Sequence, residues 1–310
     1  MLTAGRVRAV AVGAIALVTA AACTPPAPPS SNTDGSVPQA APLSAHGMTQ
    51  EGSQVWTADF LGSQLVRFDP NTGVISERHP LGQDVCNPDD VVVVPGGDLV
   101  ATCPTQGVIM RVHRGGTSSL LAFVGTGVNP IALDPSGTSV LVGFTYGLDH
   151  RLLRVPLDGS PVQTVASGLP ALGGFGFGPD GLLYVPTGGT EGALNAGGVG
   201  RINVATGAFT QLPLSFPGEP GKVGLDLAIG ADVAADGTVF VAQSLNVAVY
   251  SMNPTTGVAT SIGAPFANVG DNLVVLSDGR VIVSGFSGGG ATVFTSSGAG
   301  YTASVRPIGV

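Results

Sequence analysis

Hydrophobic and polar residues alternate in short runs from about residue 50 to the C-terminus, and tight turns separate the runs. Alternation with a period of two predicts β-strands, and glycine supplies the backbone conformation that tight turns require. Two kinds of turn recur along the chain. One follows a strand at Gly73, Gly116, Gly159, Gly207, Gly257 and Gly298. The other connects a hydrophobic hairpin at Gly97, Gly137, Gly181, Gly237 and Gly279.

The two turns alternate with a period of about forty residues, which is typical of the blades of a β-propeller. Most units offer four strands, but the first lacks a clear innermost strand. Either residues 43–49 supply it, or the two chain ends share one blade. In both cases the C-terminal strand Thr302–Ile308 must lie beside the first blade. We therefore predict an all-β fold, a six-bladed β-propeller that occupies residues 45–310.

Composition agrees with a chain made of buried strands and tight turns. Charged residues make up only 10% of the sequence, and 48 residues are glycine. The net charge of −8 argues against a nucleic-acid partner, because phosphate binding needs a basic surface. The same charge is compatible with a cationic or neutral ligand.

The N-terminus carries the features of an export signal. Arg6 and Arg8 precede an uncharged, mostly apolar run over Ala9–Ala22, which is too short to span a bilayer permanently. Small residues before Cys23 resemble a bacterial lipobox, in which the cysteine is lipidated, whereas the alternative is ordinary secretory cleavage after Ala22. We predict a lipoprotein signal peptide over residues 1–22 and a Pro-, Ser- and Ala-rich tether over residues 23–44. The protein would then be exported and anchored to the cell membrane by an N-terminal lipid.

The number of cysteines supports lipidation. There are three cysteines, Cys23, Cys86 and Cys103, and an unpaired thiol is unfavourable in an oxidising compartment. If Cys23 carries a lipid, Cys86 and Cys103 can form a disulfide, because both lie near the open end of one predicted hairpin. The alternative is two buried free thiols.

Polar residues recur at the mouth of the predicted channel. The position eight residues before each hairpin glycine falls just before an innermost strand, and strands of a ring converge on its axis. The residues at this position are Asp89, Asn129, Gly173, Ile229 and Asp271. We also expect Glu51, just before the strand that contains Trp56, to enter the same mouth. Oxygen-bearing side chains from separate blades are the ligands that a hard cation such as calcium needs.

The chain resembles the regucalcin/gluconolactonase family of six-bladed, metal-dependent lactonases. The resemblance covers most of residues 50–310 and depends on the repeat rhythm and on three stretches, 51–56, 129–137 and 178–185. It implies a divalent cation, calcium or zinc, with Glu51 and Asn129 as ligands. Asp271, which lies on another blade than the family's ligands, is added as a ligand from its position at the mouth, and Asp271 or Asp89 would be the general base. Two of the family's ligand positions hold Gly173 and Ile229, which have no ligating side chain.

Two classes of function follow. One is a binding or scaffold module of the cell envelope, which holds a small molecule or an envelope protein at the channel mouth. The other is a metal-dependent lactonase or esterase. In the absence of a metal, the polar residues at the mouth would only interact with water in the channel and cap the ends of strands. The streptogramin lyase-like propellers, which have histidines near the axis, are a third possibility. The sequence argues against them, because it places none of the four histidines at the predicted axial position.

Overall fold

The computed structural model describes residues 43–145, 150–188, 196–244, 248–263, 270–286, 290–298 and 300–309. Every regular element in these ranges is a β-strand, and the strands form six four-stranded sheets. The predicted six-bladed, all-β propeller is confirmed. None of the described segments forms a helix of the length and hydropathy needed to cross a membrane. The predicted signal peptide, Cys23 and residues 23–42 of the predicted tether lie outside the described residues.

Each blade is a meander in which consecutive strands pair antiparallel. The first three blades contain β1 (Ala45–Glu51), β2 (Gln54–Asp59), β3 (Gln64–Phe68), β4 (Ile75–Pro80), β5 (Asp90–Val93), β6 (Leu99–Cys103), β7 (Val108–Val112), β8 (Ser118–Phe123), β9 (Val128–Leu133), β10 (Ser139–Phe144), β11 (Leu152–Pro156) and β12 (Gln163–Ala166). The other three contain β13 (Gly176–Phe177), β14 (Leu183–Thr187), β15 (Gly198–Asn203), β16 (Ala208–Gln211), β17 (Ala228–Val233), β18 (Val239–Gln243), β19 (Val249–Met252), β20 (Ala259–Gly263), β21 (Gly270–Val275), β22 (Val281–Gly285), β23 (Gly290–Ser297) and β24 (Gly300–Pro307).

The first blade has its own innermost strand, β1, so the first of the two alternatives for closing the ring is correct. This strand lacks a clear period-two pattern because its first four residues are all buried. β1 contacts the inner strands of blade two and blade six. Leu43 and Ser44, which the sequence assigned to the tether, are buried in the domain. The ring therefore begins two residues earlier than predicted.

The hydrophobic core is divided into six layers, each between two neighbouring blades. The layer between blades six and one contains Phe68 and Ile282, for example, and the layer between blades four and five contains Tyr184 and Tyr250. A side chain of this size contributes about 1.5–3 kcal/mol when it is fully buried. Because both faces of each sheet are covered in this way, the blades stabilise one another around the ring.

In blades one, four and five, the recurring glycine between the third and fourth strands is explained by close contact with the preceding blade, whereas Gly159 and Gly298 have open space around them. Gly73 adopts a φ of +76°, and a Cβ atom there would lie 1.9 Å from the main-chain oxygen of Pro307. A Cβ at Gly207 would lie 2.3 Å from the main-chain oxygen of Val165. The Gly309 N–H also donates to the Gly73 carbonyl at 3.2 Å. The segment after β24 thus docks on blade one, as the sequence predicted.

A disulfide joins Cys86 to Cys103, with a Cα–Cα distance of 5.2 Å. Both cysteines are fully buried in the layer between blades one and two. Cys103 ends β6, and Cys86 lies in the segment that leads into β5. The predicted pairing is confirmed, and it fixes the segment that enters blade two just before Asp89.

Candidate functional site

Three titratable side chains meet where the innermost strands of blades six, one and two begin. His46 is the second residue of β1, Asp89 immediately precedes β5, and Asp271 is the second residue of β21. Nδ1 of His46 lies 2.9 Å from Oδ1 of Asp89 and 3.3 Å from Oδ2 of Asp271. His46 and Asp89 are buried, whereas 24% of the Asp271 side-chain surface is exposed to solvent. We call these three residues the mouth cluster.

Main-chain contacts between blades one and two hold the cluster in place. The Asp89 N–H donates to the Thr102 carbonyl at 3.0 Å, and the Asp89 carbonyl accepts from the Gly47 N–H at 2.7 Å. A Cβ atom at Gly47 would lie 1.8 Å from a carboxylate oxygen of Asp90. Glycine next to His46 therefore allows blade two to approach closely enough for Asp89 to reach the imidazole.

The other side of the His46 ring is fixed as well. Nε2 lies 3.1 Å from Oγ of Ser44, and this hydroxyl donates to the Phe286 carbonyl at 3.0 Å. The rings of Phe60 and Phe286 lie 5.2 Å and 5.0 Å from the imidazole. The hydroxyl is thus placed to accept from Nε2–H, which leaves Nδ1 facing the two carboxylates. The imidazole has one orientation that satisfies all of these contacts.

The electrostatics favour a charged imidazole. Burial by itself would lower the pKa of His46, but the negative charge of Asp271 and hydrogen bonds to Asp271 and Asp89 outweigh it and raise the pKa to about 10. Burial raises the pKa of Asp89, and the His46 imidazolium opposes that shift. Oδ2 of Asp89 is buried and has no hydrogen-bond partner among the described residues. A buried acceptor of this kind is costly unless a ligand or an ion satisfies it.

Ser44, His46 and Asp89 are connected in the same order as a nucleophile, base and acid triad. The environment does not support that chemistry. Ser44 is 2% exposed, its hydroxyl donates to a main-chain carbonyl, and His46 is held as the imidazolium. A base that already carries the proton cannot activate a serine. Ser44 therefore orients the His46 ring, and the reactive side of the cluster is the one that faces Asp89 and Asp271.

A second set of acidic side chains lies deeper in the channel and joins neighbouring blades. Asp90 accepts from the Ile131 N–H at 3.2 Å and lies 3.4 Å from Nδ2 of Asn272. Asp232 accepts from the Val275 N–H at 2.8 Å. Burial raises the pKa of Asp90 well above its usual range and that of Asp232 to about 6. These groups line a cavity of about 280 Å³, and their bonds to main-chain donors indicate a structural role.

No known protein family matches the sequence, and no curated protein is detectably similar to it. Solved structures do match the fold. A virginiamycin B lyase from Staphylococcus aureus has a TM-score of 0.62 at 14% identity, over 87% of this chain and 88% of that chain. A gluconolactonase from Xanthomonas campestris has a TM-score of 0.61 at 17% identity, over 79% of this chain and 84% of that chain. A chain of a nidogen–laminin complex has a TM-score of 0.57 at 14% identity, over 71% of this chain and 79% of that chain.

These likenesses establish the propeller fold. At identities of 14–17% they show the architecture alone, and the chemistry depends on the residues of this chain. The three neighbours also differ in what their names describe, namely a lyase, a lactonase and a chain of a protein complex.

Glu51 does not join the mouth cluster, which corrects the expectation from the sequence. It is the last residue of β1, five residues beyond His46, or about 16 Å along the strand at about 3.3 Å per residue. Its carboxylate accepts from Nε1 of Trp56 at 3.1 Å and pairs with Arg67 and Arg114. These partners lower its pKa against the effect of partial burial. The expectation fails because Glu51 lies at the end of the innermost strand, β1, and the strand that follows it, β2, is the second strand of the blade.

The ligand set that the resemblance implies is not completed in this channel. Asn129 does lie near the start of an inner strand, β9, and its carbonyl accepts from the Thr102 hydroxyl at 2.7 Å. On the opposite side, the Gly174 N–H donates to the Ile229 carbonyl at 2.7 Å, so main chain bridges blades four and five. A Cβ atom at Gly173 would lie 2.2 Å from the Ile229 oxygen. No ligating side chain can be placed at Gly173 without separating the two blades.

Sequence reasoning brought Asp89 and Asp271 together correctly but missed His46. The statement that no histidine occupies an axial position is wrong, because β1 lies innermost and carries His46 at the mouth. A signal was present in the turn between β1 and β2. Gly52 has a φ of +61° and is the hairpin glycine of blade one. Eight residues before it stands Ser44, the partner of His46.

Proposed function

We propose that this protein is an exported β-propeller, anchored to the outer face of the cell membrane by a lipid on Cys23, that binds a small cationic ligand at its channel mouth. The observation that carries the proposal is the mouth cluster itself. Two carboxylates face one imidazolium there, and one buried carboxylate oxygen of Asp89 has no hydrogen-bond partner among the described residues. Excess negative charge in a buried place is unfavourable unless a positive group compensates it.

The accessibility of the cluster also supports a ligand site. Asp271 is partly exposed, so a ligand could contact its carboxylate from solvent while Asp89 and His46 form the floor of the site. The imidazole is fixed on its other side by Ser44 and by two aromatic rings, which gives a rigid site. A rigid site loses less conformational entropy on binding than a mobile one.

Thermal unfolding of the mature protein tests the ligand site. Putrescine, magnesium, calcium and zinc would be compared with sodium chloride at equal ionic strength, and we expect at least one cation to raise Tm, because a ligand that binds only the folded state stabilises it. Asp271→Asn should abolish the shift. Asp278→Asn, at an exposed carboxylate of the same blade that pairs with Arg280, should keep it. Equal shifts in the wild type and Asp271→Asn would contradict the proposal.

Cell fractionation tests the anchor. We expect the wild type in the membrane fraction, and we expect a Cys23→Ala variant in the soluble extracytoplasmic fraction if its signal peptide is still removed. A Cys23→Ala variant that stays with the membrane would contradict lipid anchoring.

A protein of the envelope is the other partner that we propose for this mouth, and the same fold occurs in a chain of the nidogen–laminin complex.

The second candidate is a lactonase or esterase. The observation that favours it is the presence of imidazole and carboxylate groups at one channel mouth, in a fold that a gluconolactonase shares. In this candidate Asp271, the most accessible of the three, is the general base that takes a proton from the attacking water, and Asp89 holds His46 in place. Calcium or zinc would be its cofactor. Acid release from gluconolactone, followed at constant pH, tests it, and equal rates for the wild type and Asp271→Asn would exclude it.

A further inference from the structure

We propose that Nδ1 of His46 and one carboxylate oxygen each of Asp89 and Asp271 form a site for a divalent transition metal of the zinc class. This inference names the cation of the mouth cluster, so it rests on the proposed function. It differs from the ligand set expected from the sequence, because it uses His46 and does not use Glu51 or Asn129. Its three residues come from three consecutive blades, six, one and two.

The spacing of the ligand atoms supports the site. The three atoms all lie within 4.8 Å of one another, and Nδ1 of His46 is 2.9 Å and 3.3 Å from the two carboxylate oxygens. A tetrahedral ion with bonds of about 2.1 Å holds its ligand atoms about 3.4 Å apart. The cluster therefore needs only small side-chain movements to surround such an ion. The strands that carry the residues are inner strands, which the ring already holds in place.

The surroundings of His46 are those of a metal-binding histidine. Such a histidine usually donates its second ring N–H to an oxygen atom, which fixes the ring and directs the other nitrogen to the metal. Here Ser44 supplies that oxygen at 3.1 Å, and Ser44 is itself fixed by the Phe286 carbonyl at 3.0 Å. Asp89 contributes an independent indication, since its buried Oδ2 has no hydrogen-bond partner among the described residues.

The types of ligand atom favour zinc over calcium. Calcium takes six to eight oxygen ligands, whereas imidazole nitrogen suits zinc and its neighbours in the transition series. The mouth cluster offers one nitrogen and two carboxylates. Three protein ligands with one position left open are typical of zinc sites that bind an exchangeable molecule. The partial exposure of Asp271 leaves a side from which that molecule can reach the ion.

Titration calorimetry of untagged, metal-free mature protein tests the inference. We expect one zinc ion per chain with a dissociation constant in the micromolar range or lower, and no binding of calcium at a hundredfold higher concentration. Zinc replaces the proton on Nδ1 of His46, so binding should release that proton to the buffer. Cobalt(II) should bind at the same place and give the visible absorption of a four- or five-coordinate ion. Ser44→Ala should weaken zinc binding about 10- to 100-fold by releasing the ring.

Two variants remove ligands directly, and one serves as a matched control. His46→Ala should abolish zinc binding. Asp271→Asn makes the same test at a partly exposed position, where the fold tolerates change more readily. His113→Ala is the control, because Nδ1 of His113 also lies 2.9 Å from a carboxylate, that of Asp98, but outside the mouth cluster. This variant should bind zinc as the wild type does.

Each outcome separates this inference from the proposed function. Absence of zinc binding, unchanged affinity in both ligand variants, or calcium binding as tight as zinc binding would overturn the metal site. If putrescine or magnesium still raises Tm in the wild type but not in Asp271→Asn, the proposed cationic ligand site stands without zinc. If no cation binds, both fail. Zinc binding lost in His46→Ala and kept in His113→Ala would confirm the site.

Discussion

The pH dependence of unfolding gives a direct test of the charged state of His46. The pKa of this residue is raised to about 10 in the folded protein, from 6.5 when it is unperturbed. Because the folded value is the higher one, the stabilisation is fully present below about pH 6.5 and is lost as the pH rises through about 10. Between these limits the folded state holds one proton more than the unfolded state. The free energy of unfolding therefore falls by about 1.4 kcal/mol per pH unit.

The resulting change is large enough to measure. From pH 7 to pH 9 the His46 contribution decreases by about 2.5 kcal/mol. Urea unfolding in the presence of a chelator, at several pH values in this window, gives the free energy of unfolding directly. The His46→Gln variant keeps a hydrogen-bond donor but does not titrate. The difference between the two proteins at each pH isolates the imidazole from the other titrating groups.

Parallel pH profiles of the wild type and His46→Gln would contradict a charged His46. If the wild type and His46→Gln lose stability equally between pH 7 and pH 9, His46 is not held as an imidazolium between Asp89 and Asp271. A wild type that becomes more stable with rising pH, relative to the variant, would show that burial outweighs the two carboxylates and that the pKa is lowered instead.

Three further predictions concern the fold and the limits of the site. Replacing Cys86 and Cys103 by alanine should lower the free energy of unfolding by about 3 kcal/mol, as expected for a sequence separation of 17. In thermal unfolding, Tm should fall by about 6 °C. An unchanged Tm would show that the bridge is not formed in the protein. Gly173→Ala should lower the free energy of unfolding in urea by about 1–3 kcal/mol, because the new Cβ atom would meet the main chain of blade five. Gly218→Ala is the control and should lower it far less, because open space surrounds Gly218. Glu51→Gln should leave zinc affinity unchanged in calorimetry, and weaker binding would place Glu51 in the site after all.

The sequence by itself determined the number of blades and the kind of strand pairing, because both are properties of a repeating unit. The glycines recur where a tight turn or a close contact with the preceding blade excludes a side chain, as at Gly73. The pairing of Cys86 with Cys103 followed from cysteine parity and from the two ends of one hairpin. Asp89 and Asp271 were recognised together because they occupy the same position in different repeats. In a closed ring, equal positions converge on the axis.

Only the tertiary structure decided what completes the site. The innermost strand of the first blade is hard to recognise in the sequence, because every residue from Ala45 to Met48 is buried and the period-two pattern is lost. The structure therefore moves His46 into the mouth cluster and Glu51 to the opposite end of β1. It also joins blades four and five through a main-chain hydrogen bond between Gly174 and Ile229, where the resemblance predicted ligands. The sequence repeat determines where a residue lies within its own blade. Contacts between blades depend on how closely two backbones approach each other, and the repeat does not encode that distance.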